Sequence, residues 1–210
     1  MTAHSPLGAS SYKRWKNCPG SINLCRDLPP APSSSYAEEG TLAHEIAAYA
    51  LEHAGYIGDD VSDEMRDAVN VYVDAIWDDQ IVGSISGIEN SSLWVEHRFD
   101  LSKLFPNMFG TADAVLYDPV TWILRVYDFK YGAGVPVEVE ENEQLLYYAL
   151  GAVETLNLKV KEVEIVIVQP RCPHPYGYVR RWRVDSVFLL DFAADLVEAA
   201  RRTEDPKAPL

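Results

Sequence analysis

Apolar residues recur at helical spacing in two long stretches of the first half of the chain. Ala43, Ala47, Ala48 and Leu51 mark one stripe and predict a helix over about 37–54, with Ser35 and Glu38 as its capping box. Met65, Val69, Tyr72, Val73, Ile76 and Trp77 mark a second, over about 62–81, with Ser62 as N-cap. The period then changes. "SLWVEHRFDLS" (92–102) alternates as a half-buried strand does. "GTADAVLYDPVTWILRVYDFKYG" (110–132) holds two β-rich runs around "DPVT", where Asp and Pro supply turn chemistry, and predicts a hairpin. "ENEQLLYYALGAVETL" (141–156) is helical again. "VEIVIVQ" (163–169) is nearly all apolar, as a central strand covered on both faces would be. "YVRRWRV" (178–184) is expected beside it, followed by a capped amphipathic helix, "DSVFLLDFAADLVEAARR" (185–202). There is no internal repeat. This order predicts an α/β fold: a central mixed β-sheet of about four or five strands, with flanking helices covering its faces.

A chain of 210 residues suffices for a single domain with an ordinary core. The expected divisions are an N-terminal segment and loop over 1–35, ending in "PPAPSSS" (29–35), a core over 36–202 and a flexible tail over 203–210. No run approaches the roughly 18 apolar residues of a membrane helix. The first residues lack the apolar region of a secretory signal. Three cysteines, an odd number, argue against a disulfide framework, so a reducing cytoplasm is the simplest compartment. The net charge of −14 weighs against a broad phosphate-binding surface, which Lys and Arg would have to supply. Two groups, "YKRWK" (12–16) and "YVRRWRV", interleave basic and aromatic residues as backbone contact with base stacking would want. A solvated face with core aromatics is the slightly simpler account of each.

The hairpin raises the chemical question. A turn centred between Pro119 and Val120 sets Asp113 opposite Val126 and diagonal to Asp128, and puts Asp113, Asp128 and Lys130 on one face. Two carboxylates brought together repel unless something positive lies between them, and oxygen ligands suit Mg²⁺ or Mn²⁺. Lys130 on that face would hold an attacking water or offset transition-state charge. The same spacing also fits a surface ion pair between Lys130 and Asp128. His44 shares a helix face with Ala47, Ala48 and Leu51, so it points towards the body of the protein. Gln144 and Tyr148, four apart, share a face of the helix after the hairpin. The glycines after Lys130 let the chain leave the strand towards that helix.

Together, "EEGTLAH", "GTADAV", "DFK" and "EQLLYYA" resemble the PD-(D/E)XK nuclease superfamily, in particular its RecB-like branch, which includes CRISPR-associated RecB-like exonucleases and relatives of lambda exonuclease. The opening "SYKRWKNCPGSINLC" is similar to the start of a group of phage and prophage proteins in that branch. The resemblance implies a metal-dependent deoxyribonuclease, most simply an exonuclease in phage DNA recombination or processing within a bacterial cytoplasm. It implies DNA as substrate, a phage recombinase or single-strand-binding protein as partner, and one or two Mg²⁺ or Mn²⁺ ions. By the same resemblance His44, Asp113, Asp128 and the backbone carbonyl of Phe129 would hold metal. Lys130 would be the catalytic lysine, with Gln144 and Tyr148 placing it and the DNA. Glu96, on the preceding strand, reads as a surface or outer carboxylate. A nuclease-fold DNA-binding or assembly module with little catalysis is the competing reading. Some members of the branch hold an iron–sulfur cluster on four cysteines, which three cannot supply. Cys18, Cys25 and Cys172 with His174 would make a Cys₃His zinc set; three ordinary thiols are the simpler account.

Overall fold

The computed structural model describes residues 5–29, 32–85 and 91–210, with the backbone alone for 81–85. Residues 1–4 of the N-terminal segment and residues 30 and 31 of the proline–serine loop lie outside the described residues. After a 3₁₀ turn at Ala9–Ser11 come α1 (Tyr12–Asn17), α2 (Ser21–Cys25), α3 (Ser35–Glu52) and α4 (Asp63–Ile85). Strands β1 (Ser92–Asp100), β2 (Phe109–Asp118) and β3 (Ile123–Phe129) follow, then α5 (Glu143–Leu156), β4 (Glu162–Val168), β5 (Val179–Asp185) and α6 (Ser186–Arg202). The strands form one sheet in sequence order. Only β3 and β4 run parallel, joined by the α5 crossover, so the sheet is mixed as the element order predicts. Among the described residues no helix is long and apolar enough to cross a membrane.

The helix starts follow capping chemistry. Ser34, one residue before the predicted cap, accepts from the Ala37 N–H at 3.2 Å, so Ser35 is the first helical residue instead. Ser62, Asn142 and Asp185 accept from Met65, Leu145 and Phe188 in the same way. α5 stops at Asn157, which takes the left-handed conformation that Asn tolerates at a helix end.

Two apolar layers sandwich the sheet. Ala43, Ala47 and Ala50 of α3 meet Ala68, Val69, Tyr72 and Val73 of α4 over Ala114, Leu116, Tyr127, Phe129, Val166 and Val168. On the opposite face α5, α6 and the N-terminal segment cover Val115, Leu124, Val126, Ile165 and Ile167. β4 has a helical layer on both faces, which is why its sequence loses the alternation of an exposed strand. The N-terminal segment belongs to the core: Tyr12 and Trp15 are fully buried, their rings 4.6 Å apart. The residues after α6 run back over it, with Pro209 accepting from the Gly20 N–H at 3.0 Å.

The second basic group is spent on structure. Arg180 is 3% exposed and donates to Gly177 O, Val137 O and Gln169 Oε1. Arg181 pairs with Asp79 and Glu164, and Arg183 with Glu162 and Glu164. The "YVRRWRV" strand is therefore a neutralised, structural element.

Candidate metal centre

The hairpin turns one residue later than its sequence suggests, which shifts the pairing by two. Asp118 accepts from Val120 N–H, Thr121 N–H and the Thr121 hydroxyl, and the chain closes through Trp122 at φ 58°. Paired residues therefore sum to 241, as in Tyr117 opposite Leu124, and not to 239. An even shift keeps every side chain on its face. Continued by one step, this register sets Asp113 opposite Asp128 where the sequence reading had them diagonal.

Ladder pairing between β2 and β3 stops at Ala114–Tyr127, just before the acids. Asp113 Oδ2 instead accepts from the Phe129 N–H at 2.7 Å, which fixes the carboxylate at the end of β3. His44 on α3 brings Nδ1 to 3.5 Å from Asp113 Oδ2 and 4.0 Å from Glu96 Oε1. One ligand atom from each of His44, Glu96 and Asp113 lies within 4.8 Å of the others. Among the described residues this is the one such group of three His, Cys, Asp or Glu side chains. Cys18, Cys25, Cys172 and His174 form no such group. Cys25 is exposed beside Arg14, Cys172 is buried, and His174 Nδ1 accepts from Tyr176 N–H.

Glu96, read from the sequence as a surface or outer carboxylate, is partly exposed and stands beside His44 and Asp113. It lies across β1–β2 from Asp113, between the pairs Val95–Ala114 and His97–Ala112. Its backbone sits at φ 44°, which side-chain-bearing residues rarely adopt and which costs of order 1–3 kcal/mol. A strained glutamate in mid-strand, aimed at an aspartate and a histidine, indicates a functional constraint. The eight-residue connection over 101–108 is too long for a tight turn to set the pairing of β1 with β2, so their register could not be read from the sequence.

Asp128 stands beside this group and is 2% exposed. Lys130 Nζ donates to its Oδ1 at 3.0 Å and lies 2.8 Å from Oδ2, but without the alignment of a hydrogen bond to the latter. The Asp128–Lys130 pair exists, then, as a buried ion pair and not a surface one. Gln144 Nε2 reaches Tyr148 Oη at 3.3 Å, as their spacing on α5 predicts. Gly110 explains the glycine of the GTAD motif: a Cβ there would stand 2.8 Å from the Tyr148 ring. Tyr148 can lie against β2 only because that side chain is absent. The Phe129 ring packs 5.5 Å from the His44 ring.

The cluster crowds negative charge. Burial pushes Asp128 up to about 6, with Asp113 adding to the shift and Lys130 opposing it. Burial and the Asp113 charge push Glu96 up to about 7. Burial draws His44 down, but Asp113, Asp128 and Glu96 outweigh it and raise it above its usual value. Lys130 likewise is drawn down by burial and raised on balance by Asp128. Three carboxylates converge on one histidine and one lysine, and Asp128 Oδ2, 2.8 Å from the Lys130 ammonium, accepts no aligned hydrogen bond among the described residues. This mixed oxygen–nitrogen donor set fits a divalent cation such as Mn²⁺ or Mg²⁺.

These shifts predict a pH effect. Asp128, Glu96 and His44 all have folded pKa values above their unfolded ones, so the folded protein binds more protons than the unfolded chain. Their contribution is present at low pH and is lost as pH rises through about 6 to 7. In EDTA the melting temperature should fall between pH 5 and pH 8, and Mn²⁺ at pH 8 should restore it. Identical melting with EDTA and Mn²⁺ at pH 8 would count against a cation site.

A five-stranded mixed α/β sheet thus carries a carboxylate–histidine cluster where α3 meets β1, β2 and the end of β3. Residues 4–207 match the family described as Protein of unknown function (DUF2800), and the chain belongs to that family. An alkaline exonuclease (LHK-Exo) from Laribacter hongkongensis is similar in structure over 83% of this chain and 82% of its own, at 10% identity and a TM-score of 0.37. SSO0001 is similar over 89% and 85%, at 11% identity and a TM-score of 0.24. At those TM-scores neither likeness bears on what the chain does.

Proposed function

We propose that this protein is a metal-dependent nuclease of the PD-(D/E)XK type, RecB-like in its motifs, that hydrolyses phosphodiester bonds in DNA. The observation that carries the reading is the convergence of His44, Glu96 and Asp113 beside the buried Asp128–Lys130 pair. A divalent cation held by His44, Glu96, Asp113 and Asp128, with the Phe129 carbonyl, would supply Lewis acidity and a water of lowered pKa. The Phe129 N–H fixes the Asp113 carboxylate from the other side. Lys130, kept cationic by Asp128, offers its ammonium to charge developing on the phosphoryl oxygens. Asp128 limits the swing of Lys130. The Gln144–Tyr148 pair, seated against Gly110, walls the site from the α5 side and keeps a phenolic donor there. The proposal extends to exonuclease action in phage DNA recombination or processing, in a bacterial cytoplasm, with a recombinase or single-strand-binding protein supplying basic surface that this chain of net charge −14 lacks.

The test is incubation of the purified protein with linear and circular DNA in Mg²⁺, Mn²⁺ or EDTA. Loss of linear DNA only with metal, slowed about a hundredfold by Lys130→Met, is the expected result. DNA retained on a gel but uncut under every metal condition would replace the proposal with a binding module.

A further inference from the structure

Tyr72 has no part in the chemistry above, yet it is placed as a site residue. It lies on α4 and is 1% exposed. Its ring stacks on Phe129, with centroids 4.9 Å apart and planes 24° from parallel. Phe129 is the residue whose N–H holds Asp113 and whose ring faces His44. The Tyr72 hydroxyl is buried and hydrogen-bonds none of the described residues. After burial, the charges of Asp113, Asp128 and Glu96 are what most strongly oppose its ionisation.

A buried hydroxyl without a partner is destabilising, and native structures almost always satisfy such groups. On the same cluster Asp128 Oδ2 differs, since it already lies 2.8 Å from the Lys130 ammonium. A bound water would answer the phenol, whose oxygen both donates and accepts. We infer that Tyr72 is a positioning residue: its hydroxyl holds a water that completes the shell of a divalent cation at His44, Glu96 and Asp113. This rests on reading the cluster as a metal centre. Partners that steady a shell in this way typically contribute about 10- to 100-fold to metal affinity. In the metal-free protein the same hydroxyl has nothing to hold.

Two readouts that move in different directions test this. Tyr72→Phe keeps the ring and its stacking and removes only the hydroxyl. Calorimetric titration with Mn²⁺ should show affinity weakened about 10-fold or more. In EDTA the variant should melt at the same temperature as the wild type or higher, because an unpartnered buried hydroxyl is gone. Tyr12→Phe is the control: it also removes a buried, unpartnered hydroxyl, but in the core on the other side of the sheet, and should leave Mn²⁺ affinity unchanged. Wild-type Mn²⁺ affinity in Tyr72→Phe would overturn the inference while leaving the metal centre standing. Melting of Tyr72→Phe below wild type in EDTA would also overturn it, by showing the hydroxyl already partnered without the ion. Failure of the wild type itself to bind Mn²⁺ would instead remove the metal-centre reading, and the inference with it.

Discussion

Asp113→Asn should lower Mn²⁺-dependent DNA hydrolysis by at least about a thousandfold while leaving the fold intact. Asp113 is where the site's contacts meet. Its Oδ2 accepts from the Phe129 N–H at 2.7 Å, approaches His44 Nδ1 at 3.5 Å and belongs to the ligand group with Glu96. Asparagine keeps a carbonyl oxygen that can accept from Phe129, so β3 keeps its anchor. It loses the negative charge, and with it one anionic ligand and part of the support for a protonated His44. Loss of a direct ligand should exceed the roughly 10- to 100-fold that outer partners contribute, and residues acting as a unit fail together. In EDTA the variant should melt no lower than wild type, since one of three crowded carboxylates has been neutralised. The Mn²⁺-induced rise in melting temperature should vanish. Retention of more than a tenth of wild-type cleavage would show that Asp113 is not a ligand.

Gln169→Ala should cost about 3 kcal/mol of stability and slow cleavage as well. Gln169 follows β4, and the residue before it, Val168, accepts from the Lys130 N–H at 2.8 Å. Its side chain is 2% exposed and uses all its capacity: Oε1 accepts from Val137 N–H and Arg180, and Nε2 donates to Gly132 O and Val135 O. Three of these four hydrogen bonds tie the segment leaving Lys130 to the end of β4, and the fourth joins it to Arg180 on β5. Alanine strands two backbone carbonyls and an amide, and removes an acceptor from the Arg180 guanidinium, which has no carboxylate within reach there. Urea unfolding gives the stability loss. Cleavage measured well below the new melting temperature separates the second effect, a Lys130 freed from its anchor. Full activity at that temperature would mean that the segment beyond Lys130 does not position it.

The Gln169 network also shows where sequence reading stops. Gly132 and Gly134 suggest a chain freed to turn by its glycines, yet neither takes a left-handed conformation and a Cβ on either would meet nothing. The path of the segment is dictated by a glutamine some thirty residues later in sequence, brought there by parallel pairing of β3 with β4. The same limit applies to Glu96 and Tyr72, whose neighbours His44, Asp113 and Phe129 lie far away in the chain.

Local physics was legible in the residues themselves. Helical stripes, a hairpin at "DPVT", an unbroken apolar strand and caps within a residue of their observed positions depend on neighbours a few places apart, so they survive any error in tertiary arrangement. Asp113, Asp128 and Lys130 shared a face even though the turn was misplaced, because a two-residue shift preserves the alternation of a strand. The convergence of α3, β1 and β2 on one point, the burial of Asp128 beside Lys130, and the placing of Glu96 next to Asp113 and His44 belong to the tertiary structure alone. They depend on distances between segments separated by tens of residues and on exclusion of water, and neither quantity is a property of any short stretch of sequence.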